Sequence, residues 1–208
     1  MWSMKLFGLI AAFALLLSGC APKVQVPPEV DLAGYGKIGI IEFGSDNDPE
    51  WQRFATQKFI EMIQSAQPGA RILEIGYERK VLNSVDRAEL DFEAIQVIGN
   101  EYDLDAVFSG FLKMSSIQPN VDITSLVSSA NISAEVEATL MAKLWETSKG
   151  ATIWTESVRE KEKVAHVSLA PGKESDIDVS DPDNAYGKLI EKLAHKLTAD
   201  FRVRYVRK

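Results

Sequence analysis

Seven apolar residues stand at alternate positions from Ile132 to Leu144: Ile132, Ala134, Val136, Ala138, Leu140, Ala142 and Leu144. A period of two puts all seven on one face of a β-strand and rules out a helix through this stretch. One side of that strand must therefore cover a core. Thr147-Ser148-Lys149-Gly150 then supplies a turn, and Ala151 to about Val164 returns as the antiparallel partner.

The other elements fit around this hairpin. Lys37 to Phe43, KIGIIEF, is a short apolar run suited to a buried strand. Asp48-Pro49-Glu50 opens a helix, with Asp at the N-cap, Pro at N1 and an acid in the first turn. Trp51, Phe54, Ala55, Phe59, Met62 and Ile63 follow at helical spacing until Pro68-Gly69 stops them. Arg71 to Ile75 reads as a strand, Gly76 to Leu90 as a polar stretch, and Phe92, Ile95, Ile98 and Tyr102 as one helix face. Asp105 to Met114 is a further strand, and the serine-rich Ser115 to Asn131 reads as a connection. An acidic loop, Lys173 to Asp183, leads into a second Asp-Pro helix start at Asp181-Pro182. Tyr186, Leu189, Ile190, Leu193, Leu197 and Phe201 make that helix amphipathic. The order βαβαβββα predicts one α+β domain over residues 37–208, a mixed sheet with an antiparallel C-terminal hairpin and helices packed on it.

The N-terminus is of another kind. Lys5 precedes an uncharged apolar run from Leu6 to Leu17, 12 residues long. A membrane span needs about 20 residues, whereas a signal-peptide core has this length. The run ends in Leu17-Ser18-Gly19-Cys20, which resembles the bacterial lipobox. The resemblance implies cleavage after residue 19, acylation of Cys20 and a mature chain of 189 residues. Ala21 follows the cysteine, not the Asp that retains many enterobacterial lipoproteins in the inner membrane. The expected place is thus the periplasmic face of the outer membrane. Residues 20–36, with three prolines and no periodicity, read as a tether reaching roughly 50 Å at full extension.

The residues offer little catalytic chemistry. There is one cysteine, which the anchor uses, so no disulfide or multi-thiolate metal site can form within the chain. His166 and His195 lie on different elements, with no nucleophile elbow or Cys–His pair beside them. Gly34-Tyr35-Gly36-Lys37-Ile38-Gly39 satisfies G-x-G-x-x-G, but a dinucleotide site needs that motif after a strand and opening a helix. Here it enters a strand. Asp176, Asp178, Asp181 and Asp183 crowd one loop without the glycine and distal glutamate of an EF-hand. Asp181 is better explained as the N-cap. Trp51, Trp145 and Trp154 each sit in an apolar-patterned element and are expected in the core. The formal charge of −7 argues against a nucleic-acid footprint. Arg202, Arg204, Arg207 and Lys208 form a basic end after the last helix, where its dipole favours cations. No catalytic residue, cofactor or metal is expected.

Three phrases resemble the curli-secretion lipoprotein (CsgG-type) superfamily, which includes penicillin-binding-protein activator lipoproteins and the amino-terminal domain of TolB. They are the opening strand Lys37 to Phe43, the helix–Gly–Asp-Ala–strand–Gly run Phe92 to Leu112, and the hairpin from Leu144-Trp145 through Gly150 to Ile153-Trp154. The resemblance implies a lipid-anchored, non-enzymatic periplasmic domain that binds an envelope protein or assembles an envelope complex. Its two alternatives are an oligomeric secretion pore and an activator of a peptidoglycan synthase. The pore would need membrane hairpins from residues 115–131 and 160–181. Against it, the alternation of Ile117, Val121 and Ile123 fades by Ser125, and Glu160-Lys161-Glu162-Lys163 opens the second segment with charge on both faces. The short tether argues against the activator.

Overall fold

The computed structural model describes residues 23–46, 49–115, 118–125, 129–169, 176–179 and 182–207. The expected signal sequence and Cys20 lie outside them, as do Asp48 and Asp181, the two expected N-caps. Glu29–Arg202 forms the main body; Lys23–Pro28 and Val203–Arg207 belong to a separate small unit.

In the body, β2 (Ile38–Glu42) pairs in parallel with β4 (Ile72–Tyr77) on one side and with β5 (Ala106–Met114) on the other. A two-residue β3 (Gly44–Ser45) extends the β5 pairing. From β5 the sheet turns antiparallel through β7 (Ser129–Glu146), β8 (Ala151–Leu169) and β9 (Asp176–Val179), while β6 (Gln118–Ser125) pairs with the first part of β7. The fold is the expected α+β arrangement with a mixed sheet and an antiparallel C-terminal hairpin.

The alternation along β7 sorts its side chains as its period requires. Val136, Ala138, Leu140, Ala142 and Leu144 are all buried, facing α1 (Pro49–Ala66) and α4 (Pro182–Leu197). Phe108 of β5 is central to this layer: its ring centroid lies 5.2 Å from Phe59, 5.8 Å from Phe201 and 6.4 Å from Trp154. Truncating such a ring to alanine costs about 3–5 kcal/mol. The opposite sheet face carries a smaller cluster, in which Ile41, Ile75 and Val107 meet Val81 of α2 (Glu78–Ser84) and Ile95 and Ile98 of α3 (Phe92–Tyr102). Asp91 caps α3 by accepting from the Ala94 amide, and Asp103 ends it in the left-handed region. Between Thr147 and Ala151 the chain turns at Gly150 (φ +64°), where a Cβ would stand 2.2 Å from the Phe92 carbonyl oxygen.

Several expectations change. The polar stretch Gly76–Leu90 contains α2, whose only buried apolar residues are Val81 and Leu82, too few to show a period. Phe92 is exposed; the inner face of α3 is Ala94, Ile95, Ile98 and Gly99. The connection after Met114 holds β6 and the start of β7, and the acidic loop holds β9.

The expected tether is also partly structured. Leu32 is buried, and three backbone groups converge on one side chain, Gln67. Its Oε1 accepts from the Leu32 amide (2.7 Å), and its Nε2 donates to the carbonyls of Val30 (2.7 Å) and Phe201 (3.0 Å). The amides of Glu29 and Val30 donate to the Asp200 carbonyl. Residues 29–36 therefore belong to the body. In the small unit, β1 (Lys23–Val26) pairs antiparallel with β10 (Arg204–Arg207), a two-stranded ribbon that neither segment's short pattern announces.

Candidate interaction surfaces

β7 and β8, at 18 and 19 residues, are about twice the length of β5, which pairs with β7 only from Ala138 to Glu146. Beyond that point β6, β7, β8 and β9 form a four-stranded extension. Directly paired residues share a sheet face. The register thus puts Pro119, Val121 and Ile123 of β6 on one face with Ala134, Ile132 and Ala130 of β7. Ala165, Val167 and Leu169 of β8 join that face, as do Val179 and Ile177 of β9. Every position on it is apolar. The other face carries Gln118, Asn120 and Asp122, then Asn131, Ser133 and Glu135, then His166 and Ser168, and finally Asp176 and Asp178.

A β-bulge makes this sorting possible. Glu135 pairs with Lys163 and Ala134 with Ala165, so Val164 is an extra residue. Before it, Glu160 and Glu162 stand opposite Ala138 and Val136, on the face that continues into the apolar one. There Glu160 is ion-paired with Lys196 and, at 2.9 Å, with Lys192 of α4. Those two hydrogen bonds, Lys196 first, hold the Glu160 carboxyl below its ordinary range. Lys161 and Arg159 meet Glu137 on the opposite face, and the Arg159 bond leads in lowering the Glu137 carboxyl. The charged run at 160–163 thus belongs to the root of the extension, where α4 neutralises one of its faces. It does not interrupt the apolar face, as strict alternation through Val164 would have required.

Two further surfaces lie on the body. On the sheet face away from α1 and α4, Phe111 and Met141 are exposed at a cross-strand pair. With Leu90, Trp145, Glu78 and Glu156 they line a groove of about 380 Å³. Trp145, expected in the core, is half-buried here: its Nε1 donates to Ser109 Oγ (2.9 Å) and Lys143 Nζ stands 5.2 Å from its ring centre. At the C-terminus of α3, Gln96, Asn100, Asp103, Asp105 and Ser148 line a polar cavity of about 500 Å³. Lys37 is ion-paired with Asp103 at its edge, and that bond lowers the Asp103 carboxyl.

The other candidate residues take structural places. Trp154 is buried, donating to Asp200 (3.2 Å) and packing on Phe201; Trp51 packs half-buried against Phe54 and Tyr186. Gly36 donates its amide to Asp105, and Gly39 leaves room for Leu104. His195 Nε2 is 2.7 Å from Arg202 Nη1, whose partial burial lowers the guanidinium's pKa. His166 is on β8 opposite Ser133, so the two histidines are not brought together by the strand pairing. Among the described residues no group of three His, Cys, Asp or Glu side chains could hold a metal ion, and no helix is long and apolar enough to cross a membrane.

No protein-family model matches the chain, and no curated protein matches it. Among solved structures it is similar to the PelC dodecamer of Paraburkholderia phytofirmans, at 14% identity and a TM-score of 0.48 over 88% of this chain and 98% of that one. It is similar to a neuraminyllactose-binding hemagglutinin homolog of Helicobacter pylori, at 12% identity and 0.45 over 78% and 81%. It is also similar to lipoprotein GNA1162 of Neisseria meningitidis, at 13% identity and 0.42 over 78% and 97%. Likeness of this degree carries no inference about function.

Proposed function

We propose that this protein is a lipid-anchored, non-enzymatic protein of the bacterial envelope that works by protein–protein contact through the β6–β9 extension. Acylated Cys20 holds it at the membrane, at the periplasmic face of the outer membrane. The observation that carries the reading is the wholly apolar face shared by four paired strands. Strand spacing and rise give that face roughly 300–400 Å². A standard interface covers about 800 Å² per partner with an apolar centre and polar rim, so the face matches such a centre in size. The partner is an envelope protein or further copies of this chain.

The same alternation favours a second reading, an oligomeric pore whose strands turn the apolar face to lipid. A spanning strand needs about 9–11 residues. β6 has eight and β9 four, which favours protein contact. Activation of a peptidoglycan synthase ranks below both, because only Ala21 and Pro22 separate Cys20 from the first strand.

Photo-crosslinking residues placed in the membrane-extracted protein test this directly. Positions Val121, Ile132 and Val167 should give a discrete adduct with one envelope protein or a second copy, and Asn120 and Ser133 should not. Equal labelling from both faces, or none, sinks the contact reading. Large rings with stepwise conductance in planar bilayers would install the pore.

A further inference from the structure

The β1–β10 ribbon has a composition unlike the rest of the chain. Of the 30 acids, none lies in Met1–Pro28 or Val203–Lys208, whereas Lys23, Arg204, Arg207 and Lys208 do. Four of the exposed large apolar residues are also concentrated there: Tyr205 at 65% exposure, Val206 at 48%, Val24 at 41% and Val203 at 39%. Lys23 pairs with Arg207 and Gln25 with Tyr205, so two cations and the tyrosine share one face of the ribbon, while Val24, Val206 and Val26 share the other with Arg204. In a protein with net charge −7, an element that carries cations, exposed apolar residues and no acid is suited to an anionic, amphipathic surface.

We infer that the β1–β10 ribbon docks on an anionic phospholipid surface beside the acyl anchor. The inference rests on the reading of Cys20 as the anchor. Lys23 follows Cys20 by three residues, a chain length of at most about 11 Å. The Debye length at physiological salt is about 8 Å, so even at full reach Lys23 lies within roughly one and a half screening lengths of the headgroups. There Tyr205 has the aromatic side chain with a polar tip that suits the membrane–water boundary. On the same face the stems of Lys23 and Arg207 can lie along the boundary while their heads stay wet. The ribbon fixes the first folded residues at the membrane and turns a single-point anchor into a two-point attachment.

The test uses the chain from Ala21 to Lys208, which contains every described residue and no anchor. It is floated with vesicles of phosphatidylcholine alone and of phosphatidylcholine with 30 mol% phosphatidylglycerol. Binding is expected on the anionic vesicles only, falling steeply with salt. Each basic residue near such a surface contributes about fivefold to partitioning, so Lys23→Gln with Arg207→Gln should weaken binding roughly 25-fold. Arg79→Gln with Lys80→Gln removes the same charge from the α2 region and should leave binding unchanged; thermal melts of both variants confirm the fold. Equal binding to the two vesicle types, binding to neither, or equal loss from both variant pairs overturns the ribbon surface. The intact mass of the native protein separately reports acylation of Cys20, so failure of the anchor and failure of the ribbon are read in different experiments.

Discussion

Gln67→Glu keeps the shape of the side chain and its acceptor for the Leu32 amide but removes both donors. The carbonyls of Val30 and Phe201 then face a carboxylate where they had faced an amide. Leaving a buried group unpaired costs about 1–3 kcal/mol, and these half-buried carbonyls, each with a second lone pair, fall toward the lower end. Two such groups give about 3 kcal/mol, before any repulsion. For a domain of this size that lowers the melting temperature by roughly 6–12 °C at neutral pH. Gln67→Ala loses all three bonds but admits water, so it should fall less, by about 2 kcal/mol. The carbonyls favour the protonated acid, so the deficit of the Glu variant is full above its folded pKa. It shrinks as pH falls toward the ordinary carboxylate range, where the acid can again donate one bond. Melts at pH 7 and pH 4.5 measure this, and exchange of the Leu32 amide locates it: protection persists in the Glu variant and is lost in the Ala variant. A Glu variant within 1 °C of the parent at pH 7, or a deficit that grows on acidification, would refute the clasp.

Two other substitutions have definite signs. Gly150→Ala places a Cβ against the Phe92 carbonyl at a left-handed turn, so it should cost about 3 kcal/mol or more in urea unfolding; a neutral result would mean that the turn is free to reshape. Glu160 has its folded pKa depressed by Lys196 and Lys192. Its contribution is present above its unfolded pKa and disappears as pH falls through the folded value. Glu160→Gln should therefore flatten the acid limb of the stability–pH curve, and parallel curves for parent and variant would dismiss the ion-pair account.

The sequence was most legible where one face of an element is buried and the other wet. The run from Val136 to Leu144 and the last helix, with Leu189, Ile190, Leu193 and Leu197 all buried, declare their period directly. It was least legible where partners are distant in the chain. β1 and β10 are four residues each, and only pairing across 177 intervening residues makes them strands. Gln67 carries no signal of its own, because what it binds is the backbone of Val30, Leu32 and Phe201. The polarity of Asp176 and Asp178 suggests a loop, yet their intervening Ile177 and the following Val179 alternate with them, and β9 uses that alternation. β6, inside the serine-rich connection, was obscured in the same way: its apolar positions are spaced by polar ones that belong to the other face.

The bulge at Val164 shows how a local irregularity can reverse a conclusion drawn from pattern. Read as continuous alternation, the positions of Glu160 and Glu162 extend to Val164, His166 and Ser168, and the apolar residues Ala165, Val167 and Leu169 fall opposite them. With one extra residue, Ala165, Val167 and Leu169 follow Glu162 on the same face. Deleting Val164 removes the extra residue and leaves Lys163 and Ala165 as regular neighbours, so register on both sides is preserved. Deleting Lys161 is different. The bulge can absorb the lost residue, but Glu162 then stands opposite Glu137 and Lys163 opposite Val136, two unfavourable pairs at the root. The two deletions therefore diverge although each removes one residue from one strand. Deletion of Val164 should change stability by less than about 1 kcal/mol, since the strand pairs on both sides of it are kept. Deletion of Lys161 should be the more destabilising of the two, as it puts Glu162 opposite Glu137 in place of Lys161. A cysteine pair at Ile132 and Val167 reports the register, because their Cα atoms are cross-strand partners within disulfide reach. It should close in the Val164 deletion, and a pair at Ile132 and Ser168 should not. If the off-register pair closes instead, β8 has slipped, the apolar face of the extension is not set by the bulge, and the contact surface assigned to it is wrong.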